Sequence, residues 1–279
     1  MLFRSETVFC VPGESYLEVL DALHDVRDSI RLIVCRQDGG ASYMAEAYGK
    51  ATGKPGICFV TRGPGATNAS PGLHVAFQDS TPMILFIGQV ARGDLDREAF
   101  QEIDYRRMFG QVAKWVAQID DAARIPEYVN RAFTTAMSGR PGPVVLVLPE
   151  DMLVQEVQAR PLARVEPVQA WCDPGSLRTL REMLLASQRP FVIAGGSGWT
   201  PQSAQALERF AENWKLPVGN AFRCQDLFDN HHPQYAGDVG IAINPKLAQR
   251  IRESDLVLVL RSEEHTSELQ SHLSLVCRL

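Results

Sequence analysis

Hydrophobic and polar positions alternate in blocks along the first half of the chain. Short runs of Val, Ile, Leu and Phe are separated by longer segments in which apolar residues recur at helical spacing. Strands that are apolar at nearly every position, set between helices, are typical of a parallel sheet covered on both faces. The pattern predicts strands at residues 7–11, 31–35, 56–61, 82–89, 113–118 and 142–148, and helices at 15–24, 40–52, 66–78 and 122–137.

The second half repeats this organisation after a segment with few periodic signals. We interpret residues 151–173 as a linker, because prolines interrupt them and no helical or strand period continues. Beyond them the pattern predicts helices at 175–187, 203–214 and 245–253, and strands at 190–194, 216–220 and 256–260. Because three strands leave an exposed edge, we expect residues 174–260 to be an incomplete, Rossmann-like α/β domain. In the first half, residues 90–112 have no regular period and are predicted to be irregular.

The two ends of the chain differ from the rest. Residues 261–272 resemble the translation of a common sequencing adapter, which is a DNA reagent and not a protein family. We therefore expect Leu260 to be the last native residue and residues 261–279 to be a loose, non-native tail in which His265 and His272 have no functional role. At the other end, only six residues precede the first predicted strand, so we expect a first helix to be missing.

Composition narrows the class of protein. The chain is 45 % apolar and 22 % charged, which are ordinary values for a globular protein. No apolar run approaches the roughly 20 residues of a membrane span. The net charge of −5 with no basic stripe disfavours a nucleic-acid partner. Cys10, Cys35 and Cys58 lie in apolar runs without metal-ligand spacing, so we expect buried thiols in a cytoplasmic protein.

Three turns after predicted strands could carry chemistry. Residues 61–68, with the sequence TRGPGATN, open a helix, where glycine allows close approach to a ligand and free N–H groups point outward. They match neither the P-loop nor the dinucleotide fingerprint, so a purely structural turn is an equal alternative. Asp38 is either an acid aimed at the ligand edge or a helix N-cap. Residues 195–198 could receive a phosphate or serve as a structural turn.

Eight short segments occur in a characteristic order. They are VPGE at 11–14, RQDGGA at 36–41, EAYG at 46–49, VTRGPGATN at 60–68, AFQDSTPM at 76–83, GQV at 88–90, AFQE at 99–102 and GRPGPV at 139–144. Together they resemble the N-terminal pyrimidine-binding domain of thiamine-diphosphate enzymes of the acetolactate-synthase large-subunit type. Residues 174–260 are similar to the central domain of that family, which binds FAD in some members. We interpret His231 and His232 in that domain as a loop feature and not as a zinc site.

The resemblance implies a parallel-sheet pyrimidine-binding domain at residues 1–150 and a thiamine-diphosphate cofactor with Mg²⁺. Family members decarboxylate a 2-keto acid and join the resulting carbanion to a second carbonyl. Their active site is expected between two subunits, which implies a homodimer or tetramer of the parent protein. The Gly-Asp-Gly…Asn motif that holds Mg²⁺ and the diphosphate does not occur in this sequence. We therefore expect the 279-residue chain by itself to be inactive and to contribute no metal ligands.

The resemblance also assigns roles to individual positions. A family glutamate hydrogen-bonds the aminopyrimidine ring, and the matching catalytic position here is Asp38, preceded by Gln37 where the family usually has His. Asp is shorter than Glu by one methylene, roughly 1.5 Å, and a displacement of that size can cost on the order of 10²-fold in rate. The cofactor-binding positions are Pro12, Gly13, Pro64, Asn68 and Gln89. The positions near the substrate are Phe100 and Gln101.

Two alternatives stay open at the level of sequence. The aspartate at position 38 is compatible with a non-catalytic paralogue in which the fold serves assembly or binding. The glycines at 195–198 are compatible with a flavin- or nucleotide-binding module of the same fold. The sequence does not name the keto acid or its acceptor, nor whether a regulatory subunit binds.

Overall fold

The computed structural model describes residues 5–158, 162, 171–261 and 274–277, and these form two compact units, Met1–Gln169 and Ala170–Leu279. Each unit is a parallel sheet with flanking helices, which confirms the predicted α/β class. About half of the predicted linker and most of the predicted tail lie outside the described residues. Among those that are described, no helix combines the length and apolarity needed to cross a membrane.

The first unit is built on a six-stranded sheet. Its strands are β1 (Thr7–Cys10), β2 (Arg31–Val34), β3 (Gly56–Val60), β4 (Met83–Gln89), β5 (Trp115–Gln118) and β6 (Pro143–Pro149). They lie in the order β2-β1-β3-β4-β6-β5, and every neighbouring pair is parallel. All six predicted strands are confirmed within a few residues. Because the strands are parallel, their carboxyl ends meet at one edge of the sheet.

Among the described residues, six α-helices accompany this sheet. They are α1 (Leu17–Asp25), α2 (Asp38–Thr52), α3 (Gly63–Gln78), α4 (Tyr105–Phe109), α5 (Ile125–Met137) and α6 (Glu150–Leu153). The prediction that residues 90–112 are irregular is wrong for α4, whose five residues are too few to show a helical period. Asp104 starts this helix, because its Oδ1 accepts hydrogen bonds from the backbone N–H groups of Arg106 (3.0 Å) and Arg107 (3.2 Å). The short helix α6 begins where the linker was predicted.

Apolar side chains fill both faces of the first sheet. The strands β3, β4 and β6 are buried along their whole length, which explains their continuous apolar sequence. Cys10 lies in the core on one face, and Cys35 and Cys58 lie in the core on the other. The prediction that these three thiols are buried is confirmed, since each side chain is at most 8 % exposed.

Helices α2 and α3 pack closely on one face of this sheet. A Cβ atom added to Gly72 of α3 would overlap the hydroxyl of Ser42 in α2 and lie 2.7 Å from its carbonyl carbon. The Ser42 hydroxyl is itself fully buried and donates to the carbonyl of Gly39 at 3.0 Å. Only glycine therefore fits at position 72, and the two helix axes approach more closely than larger side chains would allow.

The carboxyl end of α3 is fixed by Arg140. Its Nη2 donates to the carbonyl oxygens of Phe77 (3.3 Å) and Gln78 (3.2 Å), and its Nε donates to the hydroxyl of Ser80 at 2.8 Å. The last carbonyls of a helix have no partner within the helix, and a cation there also interacts favourably with the helix dipole. The AFQDSTPM and GRPGPV segments thus meet in space, and their contact supports α3 instead of forming a catalytic group.

In the part of the second unit that the structure describes, five strands form one sheet in the order β11-β10-β7-β8-β9. Its elements are α7 (Pro174–Ala186), β7 (Pro190–Ala194), α8 (Pro201–Trp214), β8 (Val218–Asn220), β9 (Tyr235–Asp238), α9 (Pro245–Arg252), β10 (Leu256–Leu260) and β11 (Ser274–Cys277). The prediction of three strands is therefore wrong. β9 has a short, half-buried sequence with little apolar signal, and β11 pairs in parallel with β10 although a loose tail was predicted there.

The close approach of α2 and α3 can be tested with two matched glycine substitutions. Gly72→Ala is expected to lower the free energy of unfolding by about 1–3 kcal/mol, because the new methyl group overlaps Ser42. Gly40→Ala, in the first turn of α2, is the control, since its methyl group would meet nothing closer than 3.9 Å. The control should be neutral or stabilising by up to about 1 kcal/mol through helix propensity. Urea denaturation followed by circular dichroism measures both, and equal stability of the two variants would contradict the packing argument.

Candidate functional site

The loops that follow four neighbouring strands bring most of the predicted site residues to one edge of the first sheet. Pro12 and Gly13 follow β1, Asp38 follows β2, and Pro64 and Asn68 follow β3. The fourth loop begins at Gln89, the last residue of β4. The strand order β2-β1-β3-β4 makes these loops spatial neighbours. The loops after β1 and β3 are joined directly, because the hydroxyls of Ser15 and Thr61 are hydrogen-bonded at 2.9 Å.

Asp38 is the first residue of α2 and is not its N-cap. The N-cap is Gln37, whose side-chain oxygen accepts a hydrogen bond from the Gly40 N–H at 2.7 Å. The alternative that Asp38 caps the helix is therefore wrong, because its neighbour already does so. The side chain of Asp38 is buried, at 9 % exposure, and its Oδ1 has no hydrogen-bond partner among the described residues.

Burial raises the pKa of Asp38 above the usual range of an aspartate. Hydrogen bonds from its own backbone N–H and from the Asn68 side chain oppose this rise in pKa. The residue is thus a carboxyl group removed from water and held beside Asn68 of the glycine-rich turn. Such a group can carry a proton at a higher pH than an exposed aspartate can.

The glycine-rich turn after β3 lies against this carboxyl group. A Cβ atom on Gly65 would lie 3.2 Å from Asp38 Oδ1 and 2.9 Å from Cγ2 of Thr61, so only glycine leaves space beside the acid. Pro64 in the first turn of α3 and Asn68 in the second are both exposed. A ligand placed at this edge would therefore meet an unpartnered acid oxygen, a small backbone turn and two exposed side chains.

A second buried acid on α2 has a different environment. Glu46 is 7 % exposed, and its Oε1 accepts a hydrogen bond from the hydroxyl of Thr81 at 3.0 Å. Its carboxylate helps to fix the turn before β4. Of these two buried carboxyl groups, Asp38 is the one with an oxygen left for a ligand.

Arg62, next to the glycine turn, was not singled out from the sequence. Its side chain is largely buried, and its guanidinium is 2.9 Å from Oε1 of Glu14 and 3.5 Å from Oε2 of Glu150. These partners follow β1 and β6, so Arg62 ties together loops that are far apart in the sequence. Hydrophobic periodicity gives no signal for such a contact, and only the position of Arg62 within the TRGPGATN segment could have suggested it.

The loop after β4 reaches back to the glycine turn. The carbonyl oxygen of Gln101 accepts a hydrogen bond from the Gly63 N–H at 3.0 Å, while the neighbouring Phe100 side chain is 75 % exposed. Gln89 is buried, and its Nε2 donates to the Ile103 carbonyl at 3.0 Å. The structure thus brings Gln101 to the turn, with Phe100 preceding it in the chain, whereas the Gln89 side chain holds the loop.

The predicted glycine turn of the second unit contacts its own chain. Gly196 and Gly198 have φ angles of 70° and 84°. A Cβ atom on Gly196 would overlap the carbonyl oxygen of Arg261, and one on Gly198 would lie 2.8 Å from its Nη2. The close approach of Arg261 accounts for both glycines, which favours the structural interpretation of this turn.

The His231–His232 pair also has structural contacts. Nε2 of His232 lies 3.2 Å from Oε1 of Glu212, its Nδ1 accepts from the Gln234 N–H, and its ring packs edge-on against Phe228. Within the described part of the chain, no three His, Cys, Asp or Glu side chains are grouped as metal ligands.

Comparison with known families matches both units. The family described as "Thiamine pyrophosphate enzyme, N-terminal TPP binding domain" matches residues 3–108, and "Thiamine pyrophosphate enzyme, central domain" matches residues 177–269. These matches cover the β1–β4 loops that carry Asp38 and the glycine turn.

Individual proteins are similar over most of the chain. The acetolactate synthase isozyme 2 large subunit of Escherichia coli is 31 % identical over 254 residues, 91 % of this chain and 46 % of the relative. The acetolactate synthase large subunit of Lactococcus lactis is 33 % identical over 262 residues, 92 % of this chain and 45 % of the relative. The chain thus spans about half the length of the curated relatives it matches. With the two domain families matched in order along it, the chain belongs to the thiamine pyrophosphate enzymes and carries their N-terminal and central domains.

Proposed function

We propose that this chain supplies the pyrimidine-binding half of an active site that uses thiamine diphosphate to decarboxylate a 2-keto acid and to join the product to a second carbonyl. The observation that carries the proposal is the buried Asp38, whose Oδ1 is unpartnered beside the glycine turn. A stable buried carboxyl group normally has partners for both oxygens, so the orphaned oxygen indicates a ligand. The similarity to acetolactate synthases supports the choice of reaction.

The residues at the edge fit an aminopyrimidine ring. A ring nitrogen requires a partner that can donate or share a proton, and burial gives Asp38 a raised pKa suited to that role. The glycine at position 65 leaves room beside the acid, and the exposed Pro64 and Asn68 flank it. Thiamine diphosphate, when bound, supplies a carbanion-stabilising centre for the keto acid.

Each residue then has a defined task. Asp38 holds a proton at its Oδ1, and the nearby Asn68 side chain limits the rise in the pKa of this carboxyl group. Pro12 and Gly13 border the turn from the β1 side. Phe100 and Gln101 approach it from the β4 side, where they would exclude water from the substrate.

Other parts of the proposal rest on the family resemblance alone. They are Mg²⁺ with the diphosphate, FAD in the second unit, a homodimer or tetramer, and a cytoplasmic location. The close contact between Gly196 and Arg261 gives no support to a phosphate in the central glycine turn.

A non-catalytic paralogue is a second candidate, and one observation favours it. The acid at position 38 is aspartate, whose carboxyl group reaches roughly 1.5 Å less far than that of glutamate. If this shift prevents proton sharing with the ring, the fold would bind the cofactor without turning over substrate. The two candidates differ in how they respond to a longer acid.

The length of the acid can be tested in a protein that joins residues 1–260 to the remaining domain of the Escherichia coli relative. Asp38→Glu is expected to raise thiamine-dependent CO₂ release from pyruvate, by up to about 10²-fold, because it restores the reach of the carboxyl group. Asp38→Ala should abolish it. The Escherichia coli protein is the positive control. If the Escherichia coli protein is active while the joined protein releases no CO₂, either with Asp38 or with Asp38→Glu, the enzyme proposal fails for pyruvate.

The burial of Asp38 predicts a pH-dependent stability. Because its pKa is higher in the folded than in the unfolded state, this group destabilises the fold increasingly as the pH rises above its unfolded pKa of about 3.9. Asp38→Asn should therefore melt at a higher temperature than the wild type at pH 7, and the gain should vanish near pH 3.5. Calorimetry at both pH values measures this. Asp28→Asn, at an exposed position, is the control, and a destabilised Asp38→Asn at pH 7 would contradict the burial argument.

The 279-residue chain by itself is expected to bind thiamine diphosphate and Mg²⁺ only weakly. The described site offers contacts to the pyrimidine ring and no cluster of metal ligands for the diphosphate. Isothermal titration calorimetry tests this directly. A micromolar dissociation constant would show that the chain holds the diphosphate with groups that the proposal does not include.

A further inference from the structure

The segment 96–101 adopts a backbone conformation that its sequence does not favour. Asp96, Glu98 and Gln101 have φ angles of 62°, 55° and 67°, in the left-handed region. Residues with a Cβ atom avoid this region because the Cβ crowds the carbonyl oxygen. Three such residues within six positions must be held in place by contacts from outside their own backbone.

The carboxylate of Glu102 provides two of these contacts. Its Oε1 accepts a hydrogen bond from the Asp96 N–H at 2.7 Å, and its Oε2 accepts from the Ala99 N–H at 3.2 Å. The Glu102 N–H in turn donates to the Ala99 carbonyl at 3.0 Å. One side chain therefore closes the segment on itself, through charge-assisted hydrogen bonds that are stronger than neutral ones.

The segment and Ile103, the residue that follows it, are attached to the candidate site at one point each. The Gln101 carbonyl accepts from the Gly63 N–H at the glycine turn, and the Ile103 carbonyl accepts from Gln89 Nε2, each at 3.0 Å. Phe100 belongs to this segment and directly precedes Gln101, and its side chain is 75 % exposed. A ring so exposed has little packing of its own, so the shape of the backbone sets its position.

We propose that Glu102 is a positioning residue that holds segment 96–101 in the shape that places Phe100 beside the glycine turn. Its neighbour Asp104 has a different task, because its carboxylate starts α4. The use of Phe100 toward a keto acid rests on the proposed function. The hold of Glu102 on the segment does not, and it can be measured without turnover.

The first test uses the 279-residue chain and a matched pair of variants. Glu102→Gln replaces one carboxylate oxygen with an NH₂ group, which faces an N–H donor and loses that hydrogen bond. Hydrogen exchange at the Asp96 and Ala99 amides is expected to rise about tenfold or more. A 4-fluorophenylalanine at position 100 should show a shifted ¹⁹F resonance. Glu98→Gln removes a charge from an exposed position of the same segment and should change neither.

Glu102→Ala should give a larger increase in exchange. If that variant does not fold by circular dichroism, Glu102→Gln decides, because it keeps the size of the side chain. Wild-type exchange rates together with an unshifted ¹⁹F resonance in Glu102→Gln would overturn the proposal.

A second test separates positioning from general stability. This test uses the protein that joins residues 1–260 to the remaining domain of the Escherichia coli relative. In it, Glu102→Gln is expected to raise the KM for pyruvate about tenfold while kcat changes less than about threefold, because Asp38 is unchanged. An unchanged KM with a lowered kcat would overturn the positioning role. If the unsubstituted protein has no activity, the proposed function fails, and the exchange measurement still decides the role of Glu102.

Discussion

The candidate site depends on the close approach of α2 and α3. The fully buried Ser42 occupies the space that a side chain at Gly72 would need, so the two helices can lie almost backbone to backbone. This approach brings Asp38, the first residue of α2, near Asn68 in the second turn of α3, whose side chain opposes the rise in the pKa of that carboxyl group. Arg140 holds the carboxyl-terminal end of α3 through hydrogen bonds to the Phe77 and Gln78 carbonyl oxygens.

The same geometry makes Asp38 unfavourable for the stability of the fold. Asp38 is removed from water, one of its oxygens has no partner, and its pKa is raised. A core built for stability alone would give such an oxygen a partner, as Thr81 does for Oε1 of Glu46. Buried groups with a perturbed pKa are typical of functional sites, where a side chain is placed to meet a ligand at some expense to the stability of the fold.

Several residues in the segments that carry the family resemblance make structural contacts. The AFQDSTPM and GRPGPV segments meet through Arg140 at the end of α3. Gln89 of the GQV segment holds the loop after β4, and Glu102 of the AFQE segment closes that loop. A sequence motif therefore marks a position that the fold needs, and the role of each residue becomes clear only from its contacts.

The sequence alone determined the strands of both sheets that are continuously apolar, because burial on both faces leaves a signal at every position. It also determined the α/β class, the family and the position of the candidate acid. It failed for β9, which is short and only half-buried, and for α4, which is too short to show a period. The tertiary structure decided that Gln37 and not Asp38 caps α2, that Arg62 joins Glu14 and Glu150, and that Glu102 closes segment 96–101. The burial of Asp38 and the ion pairs of Arg62 depend on contacts between residues of different elements. The cap of α2 and the closed segment depend on local backbone geometry. Hydrophobic periodicity along the sequence carries no signal for either kind of contact.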